Sequence, residues 1–176
     1  MRAYKKVFLL TVPVVVFFVL CSSAFASSES LSSSQKSTLV SQCGNITTAL
    51  KSIQHADSYA RTYYGSVYDE FLNNFIIPLN VRLLKNNQVN DTLAELQEKF
   101  VSARGDFNSS FIIYSKSLEE LINISCSTQP EKFYSQLVVT RKNRAKVDED
   151  ISELDSLIFS QEKEVKKLME SYEKQR

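Results

Sequence analysis

The chain has no tryptophan, one histidine, and only three glycines and three prolines among 176 residues. Each scarcity removes a class of protein. A single histidine, His55, rules out a histidine cluster for metal and leaves one candidate for a histidine-dependent triad. His55 and Asp57 stand two apart on a helical pattern and point different ways, so His55 reads as a surface residue. Gly44, Gly65 and Gly105 are isolated, so no glycine-rich phosphate loop exists. So few turn-formers also argue against many short strands and for a few long helices. No catalytic, cofactor-binding or metal-binding residue is therefore assigned, and the chain is not read as an enzyme.

A surplus of basic charge is lacking too. The formal net charge is +1, but Arg2, Lys5 and Lys6 sit at the amino end. Without those three, 18 basic face 20 acidic residues, a net charge of about −2. Neither nucleic acid nor anionic lipid is favoured as a partner. The local run Arg141-Lys142-Asn143-Arg144-Ala145-Lys146 is followed at once by Asp148-Glu149-Asp150, the alternation of a solvated helix face.

What is present begins with an export signal. Residues 1–6 are basic, residues 7–20 are mostly apolar, and Ala24-Phe25-Ala26 offers small residues at a cleavage site. Residues 1–26 thus read as a signal peptide and the chain as secreted or extracytoplasmic. The alternative is a retained anchor, which would be its only link to a membrane. Cleavage leaves Cys43 and Cys126 in an oxidising compartment, where a disulfide between them is the economical assignment and two free buried thiols the alternative. Residues 27–34 are serine-rich and read as a disordered lead-in.

From residue 35 onward, apolar residues recur at alternating steps of three and four. The expected fold is all-α: three long helices, at about 35–86, 92–125 and 129–174, in an antiparallel bundle or coiled coil. The first seam runs through Leu39, Cys43, Ile46, Leu50, Ile53, Asp57, Ala60, Tyr64, Val67, Phe71, Asn74 and Pro78, with a kink near Pro78. The second runs through Leu93, Leu96, Phe100, Ala103, Phe107, Phe111, Tyr114, Leu118, Leu121 and Ser125, with a stutter beside Gly105. Capping-box spacings, Thr92/Glu95 and Thr128/Glu131, mark the starts of the second and third helices. A Cys43–Cys126 bridge makes the first two helices antiparallel, and the short link at Ser127 turns the third back beside the second.

Adding 87 to a core position of the first helix gives a core position of the third, as in Leu50 to Leu137 and Val67 to Leu154. The same shift pairs Asp57 with Arg144 and Asn74 with Gln161, two polar layers that would select the register at some cost in stability. For Asp57 and Arg144 the alternative is that both face water. Tyr59, Tyr63, Tyr64 and Tyr68 form either a contact surface or flanking cover for the core, with Tyr59, Tyr63 and Tyr68 the candidates for contact. Arg104-Gly105-Asp106 has the form of an integrin-binding tripeptide but lies within an expected helix. Four glycosylation sequons begin at Asn45, Asn90, Asn108 and Asn123.

Residues 63–87, with Phe-Ile-Ile-Pro-Leu-Asn-Val-Arg-Leu-Leu from Phe75 to Leu84, carry a resemblance together with residues 126–144. The latter begin Cys-x3-Pro-x2-Phe-Tyr and end Arg141-x2-Arg144. The two stretches resemble uncharacterised exported helical proteins of candidate-phylum bacteria such as Saccharibacteria. That resemblance implies export by a small host-attached bacterium and brings no activity or site residues. Function is expected to be structural or interactive, through helical surfaces that bind a protein partner or another copy. The alternative is a periplasmic-type holdase chaperone, similar in size and export to the Skp class, which is basic where this chain is not.

Overall fold

The structure, a computed structural model, describes residues 31–174. The expected signal peptide at 1–26 lies outside the described residues. Those described are all-α: α1 (Ser33–Ser41), α2 (Cys43–Glu70), a π-helical segment (Phe71–Ile76), α3 (Ile77–Lys85), α4 (Asp91–Asn123) and α5 (Pro130–Glu173). More helices are present than the three expected, because the first expected helix is interrupted twice.

The amino end starts earlier than its serine content suggests. Ser32 Oγ accepts from the Gln35 amide at 3.3 Å while Gln35 Oε1 accepts from the Ser32 amide at 2.8 Å. This capping box satisfies two otherwise free donors, so Ser33 and Ser34 are helical rather than part of a lead-in. The first interruption is at Gln42, with φ −98° and ψ 7°. Hydrogen bonds continue across it, from Gln42 N to Thr38 O and from Ile46 N to Gln42 O, both 3.0 Å. It is a local distortion and not a loop.

The second interruption replaces the simple kink expected near Pro78. Pro78 has no amide hydrogen, and its ring crowds the carbonyl four residues back. The chain widens just upstream, where the Ile77 amide donates to Leu72 O, five residues earlier, instead of continuing the α pattern. The inward positions leave the expected seam one turn before this widening: Tyr68, Leu72, Ile76 and Leu83 are buried, while Val67 is 37% exposed and Asn74 faces solvent. The strict heptad therefore lapses after Tyr64 into successive four-residue steps.

α4 follows its expected seam closely. Leu93, Phe100, Ala103, Phe107, Phe111, Tyr114, Leu118 and Leu121 are buried, and the helix runs unbroken through Gly105. Its cap differs: Asn90, extended at φ −117°, accepts the Leu93 amide at 2.9 Å, so Thr92 is already inside the helix. Glu95, expected to complete a box with Thr92, binds Lys99 at 2.6 Å. α5 opens on Pro130, whose missing amide costs nothing at that position. The Thr128/Glu131 box is not formed, since Gln129 caps without a side-chain bond and Glu131 reaches Lys36 on α1 at 3.1 Å.

The core is aromatic at its centre. Tyr68 meets the edges of Phe100 and Phe107 at centroid distances of 6.1 and 5.8 Å, and Phe133, Leu121 and Leu154 are buried with them. Each such side chain contributes about 1.5–3 kcal/mol by leaving water. Polar bonds tie the elements at separate heights. Thr140 Oγ1 donates to Ser117 O at 3.0 Å, Gln161 Nε2 to Leu96 O at 3.1 Å, and Asn80 Nδ2 to Gln97 Oε1 at 2.8 Å. A disulfide joins Cys43, at the start of α2, to Cys126, just past α4, with alpha carbons 5.5 Å apart.

Candidate functional site

One concentration of polar chemistry lies in a groove of about 340 Å³. α4 supplies its floor with Phe107, Phe111 and Tyr114, α2 one wall with Asp57, Arg61 and Tyr64, and α5 the other with Arg144, Val147 and Ile151. The seams put these residues there: Asp57, Tyr114 and Arg144 occupy inward positions of three different helices at one height.

At that height Tyr114 Oη donates to Asp57 Oδ2 at 2.6 Å. Arg144 donates to the same carboxylate twice, from Nε to Oδ2 at 3.3 Å and from Nη2 to Oδ1 at 3.4 Å. The Asp57 side chain is 18% exposed and that of Arg144 is 53% exposed. The guanidinium thus reaches from the surface over a carboxylate that lies deeper, and the phenol completes its coordination from below. Burial pushes the Tyr114 phenol well above its ordinary pKa, and the bond to Asp57 adds to the rise. A phenol held protonated in this way is a donor and a positioning group, not a base. Across the groove, the Arg61 guanidinium stacks over Phe111 at 5.3 Å, a cation–π contact.

The second expected polar layer does not form. Gln161 is fully buried and bonds Leu96 O, but Asn74, inside the π-helical segment, faces solvent. Among the tyrosines, Tyr59 and Tyr63 are 75% and 58% exposed. Tyr68 is 1% exposed, so it belongs to the core rather than to a contact surface. Its hydroxyl donates to Asp155 Oδ1 at 3.4 Å, and burial first, then the Asp155 charge, raises its pKa. Asp57–Arg144 and Tyr68–Asp155 are both separated by 87 residues, the offset that relates the first and third seams.

Sequence reasoning placed Tyr114 in the core but missed its bond to Asp57. Their shared height, once the cysteines fix α2 against α4, was the available signal. Asp150 was also missed: it is 1% exposed with Lys146 at 2.8 Å as its ionic partner. The i,i+4 spacing of that pair was readable, but its burial was not. Arg104-Gly105-Asp106 is helical and Arg104 pairs with Asp69 on α2, so the tripeptide is not presented as a loop. His55 is exposed. Among the described residues no cluster of His, Cys, Asp or Glu able to hold a metal ion is found.

Comparison with protein-family models, with curated proteins and with solved structures finds no significant match to this chain.

Proposed function

We propose that the chain is an exported structural or interaction protein: an antiparallel helical bundle whose long sides receive a protein partner or a second copy. The observation that carries this reading is the outer face of α2. Ile53, Tyr59, Tyr63 and Val67 are 40%, 75%, 58% and 37% exposed. At 100° per residue they fall within an arc of about 120°. Tyrosine with aliphatic neighbours is the composition of interface centres, where a large ring fills a pocket and its hydroxyl stays wet. Asp57 lies on the same helix and is bonded to Tyr114 of α4 and Arg144 of α5, which ties that helix to its neighbours.

The antiparallel arrangement is supported by the order of contacts. Cys43 near the start of α2 meets Cys126 beyond the end of α4, while Asn80 in α3 meets Gln97 near the start of α4. Export is supported by the basic, apolar and small-residue segments of residues 1–26 and is compatible with the disulfide. The resemblance to exported helical proteins of candidate-phylum bacteria agrees with it.

Light scattering on the purified protein, with crosslinking on intact cells, tests the proposal. A mass above the monomer, or a captured partner, is expected, and either should be lost on Tyr59→Ser with Tyr63→Ser. A monomer that captures nothing overturns it. Suppression of client aggregation at substoichiometric protein would replace it with the holdase reading.

A further inference from the structure

The acidic residues of this chain are unevenly spread. All 20 lie outside residues 71–90, a stretch that holds Arg82 and Lys85, both exposed. Its nearest acids in sequence, Glu70 and Asp91, bound it at either end. The same stretch carries Phe75, Ile77, Val81, Leu84 and Val89 at 43%, 36%, 43%, 64% and 63% exposure. Five large apolar side chains in the open, within 15 positions, leave a substantial area in water, where it is costly.

Their arrangement is ordered. Ile77, Val81 and Leu84 succeed one another at four and three residues, so they form a stripe along α3, while Leu83 faces inward and is buried. Val89, past the turn, continues the patch and joins the stripe around a cavity of about 230 Å³. Arg82 and Lys85 stand in the last turn of α3 beside the stripe. Asn86, Asn87 and Gln88 complete a turn without charge, in which Asn87 takes the left-handed conformation at φ 55°. Asn80 bonds Gln97 and Leu93 O, which fixes α3 to α4 and keeps the stripe turned outward.

We infer that the α3 turn, from Ile77 to Val89, is a docking surface for an anionic lipid membrane. An amphipathic helix with an apolar stripe, flanking cations and no acid of its own fits an interface where acyl chains lie below negative headgroups; Glu164, which Asn90 contacts at the edge of the patch, is paired with Lys167 at 2.8 Å. No helix of the described residues is long and apolar enough to cross a membrane, so the contact is peripheral. The inference is independent of the tyrosine face of α2. It also differs from anchoring by a retained signal segment, because it belongs to residues 77–89.

Co-sedimentation with vesicles tests it, using the signal-free protein with its disulfide intact. Binding to mixed phosphatidylcholine–phosphatidylglycerol vesicles is expected, and about twenty-fivefold weaker binding to pure phosphatidylcholine, because each of the two cations near an anionic surface is worth about fivefold. Arg82→Gln with Lys85→Gln should abolish that preference. Leu84→Ser with Val89→Ser should abolish binding, and since both side chains are exposed the helical circular dichroism should not change. No sedimentation with either vesicle, or binding that neither pair of substitutions alters, overturns the inference. So does a dimer that the Leu84→Ser, Val89→Ser protein fails to form, if lipid binding is absent. That result would make the patch a contact between copies.

Discussion

Reducing the Cys43–Cys126 bond should cost the protein a large share of its stability, and the size of the loss is set by where the bond lies. It joins positions 83 residues apart in sequence with alpha carbons at 5.5 Å, so it removes a long closure from the unfolded ensemble. The chain-entropy relation for a loop of that length gives about 4.5 kcal/mol at 25 °C. Domains of this size hold only about 5–15 kcal/mol in total. Urea unfolding monitored by helical circular dichroism, with and without reductant, measures the difference. Reduction keeps both side chains in place, so no cavity confuses the reading, as it would on truncating the fully buried Cys126. With a slope of about 2 kcal/mol per molar urea, the midpoint should fall by about 2 M. A fall of less than about 0.5 M, with the bond shown to be open, would refute the reasoning. Stability would then reside in the packed helices, with the unfolded chain holding its cysteines close even when unlinked.

The Tyr114–Asp57–Arg144 cluster predicts that Tyr114→Phe destabilises by about 1.5–3 kcal/mol in chemical unfolding, the scale of one hydrogen bond to a charged acceptor. Asp57→Arg and Arg144→Asp should each destabilise, and the double exchange should recover part of the loss; no recovery would reject direct pairing. Gly65→Ala and Gly105→Ala should each raise stability by about 0.5–1 kcal/mol, since both glycines are helical and an added methyl meets nothing within 4 Å. A drop in melting temperature would contradict a continuous α4. Stability should also fall in alkali. The folded pKa of Tyr68 and of Tyr114 is raised above the unfolded value near 10, so their contribution is full below that pH and is lost as pH climbs toward the folded values. Absorbance of tyrosinate should show these two phenols ionising only as helix melts, and early ionisation of all tyrosines would disprove their burial.

How much could be read from sequence depended on how far each helix keeps to a single repeat. α4 packs against neighbours along its whole length, and its seam predicted eight of its nine buried positions, Ser117 being the addition. From Ile46 onward, the first seam shifted by 87 residues likewise lands on Phe133, Thr140, Val147, Leu154 and Gln161 but not on Asp150, and a charged residue such as Asp150 carries no apolar signal to mark it as buried. The first seam failed after Tyr64. A heptad stays aligned only if the helix supercoils, and α2 instead drifts at its natural pitch toward α4, which draws Tyr68 inward and leaves Val67 partly wet. Proline was legible as a disturbance, but its form was not: in place of the expected kink stands a π-helical segment, and Asn74 within it faces solvent. Caps were misread for a different reason. Asn90 satisfies a free amide at the start of α4, where the Thr92/Glu95 box was expected, and short-range spacing does not say which oxygen arrives first.

The bridge between Cys43 and Cys126 has a mechanical consequence. If the two ends of the chain were pulled apart, tension would pass from Cys43 directly to Cys126 through sulfur, bypassing the 83-residue span between them. At about 3.4 Å per extended residue, about 280 Å of backbone would be withheld from stretching while the bond lasts. α2, α3, α4 and the turn carrying Leu84 and Val89 would bear no load, and the yielding parts would be α1 and α5. Under tension the chain would lengthen first outside the bridged span and keep that span folded.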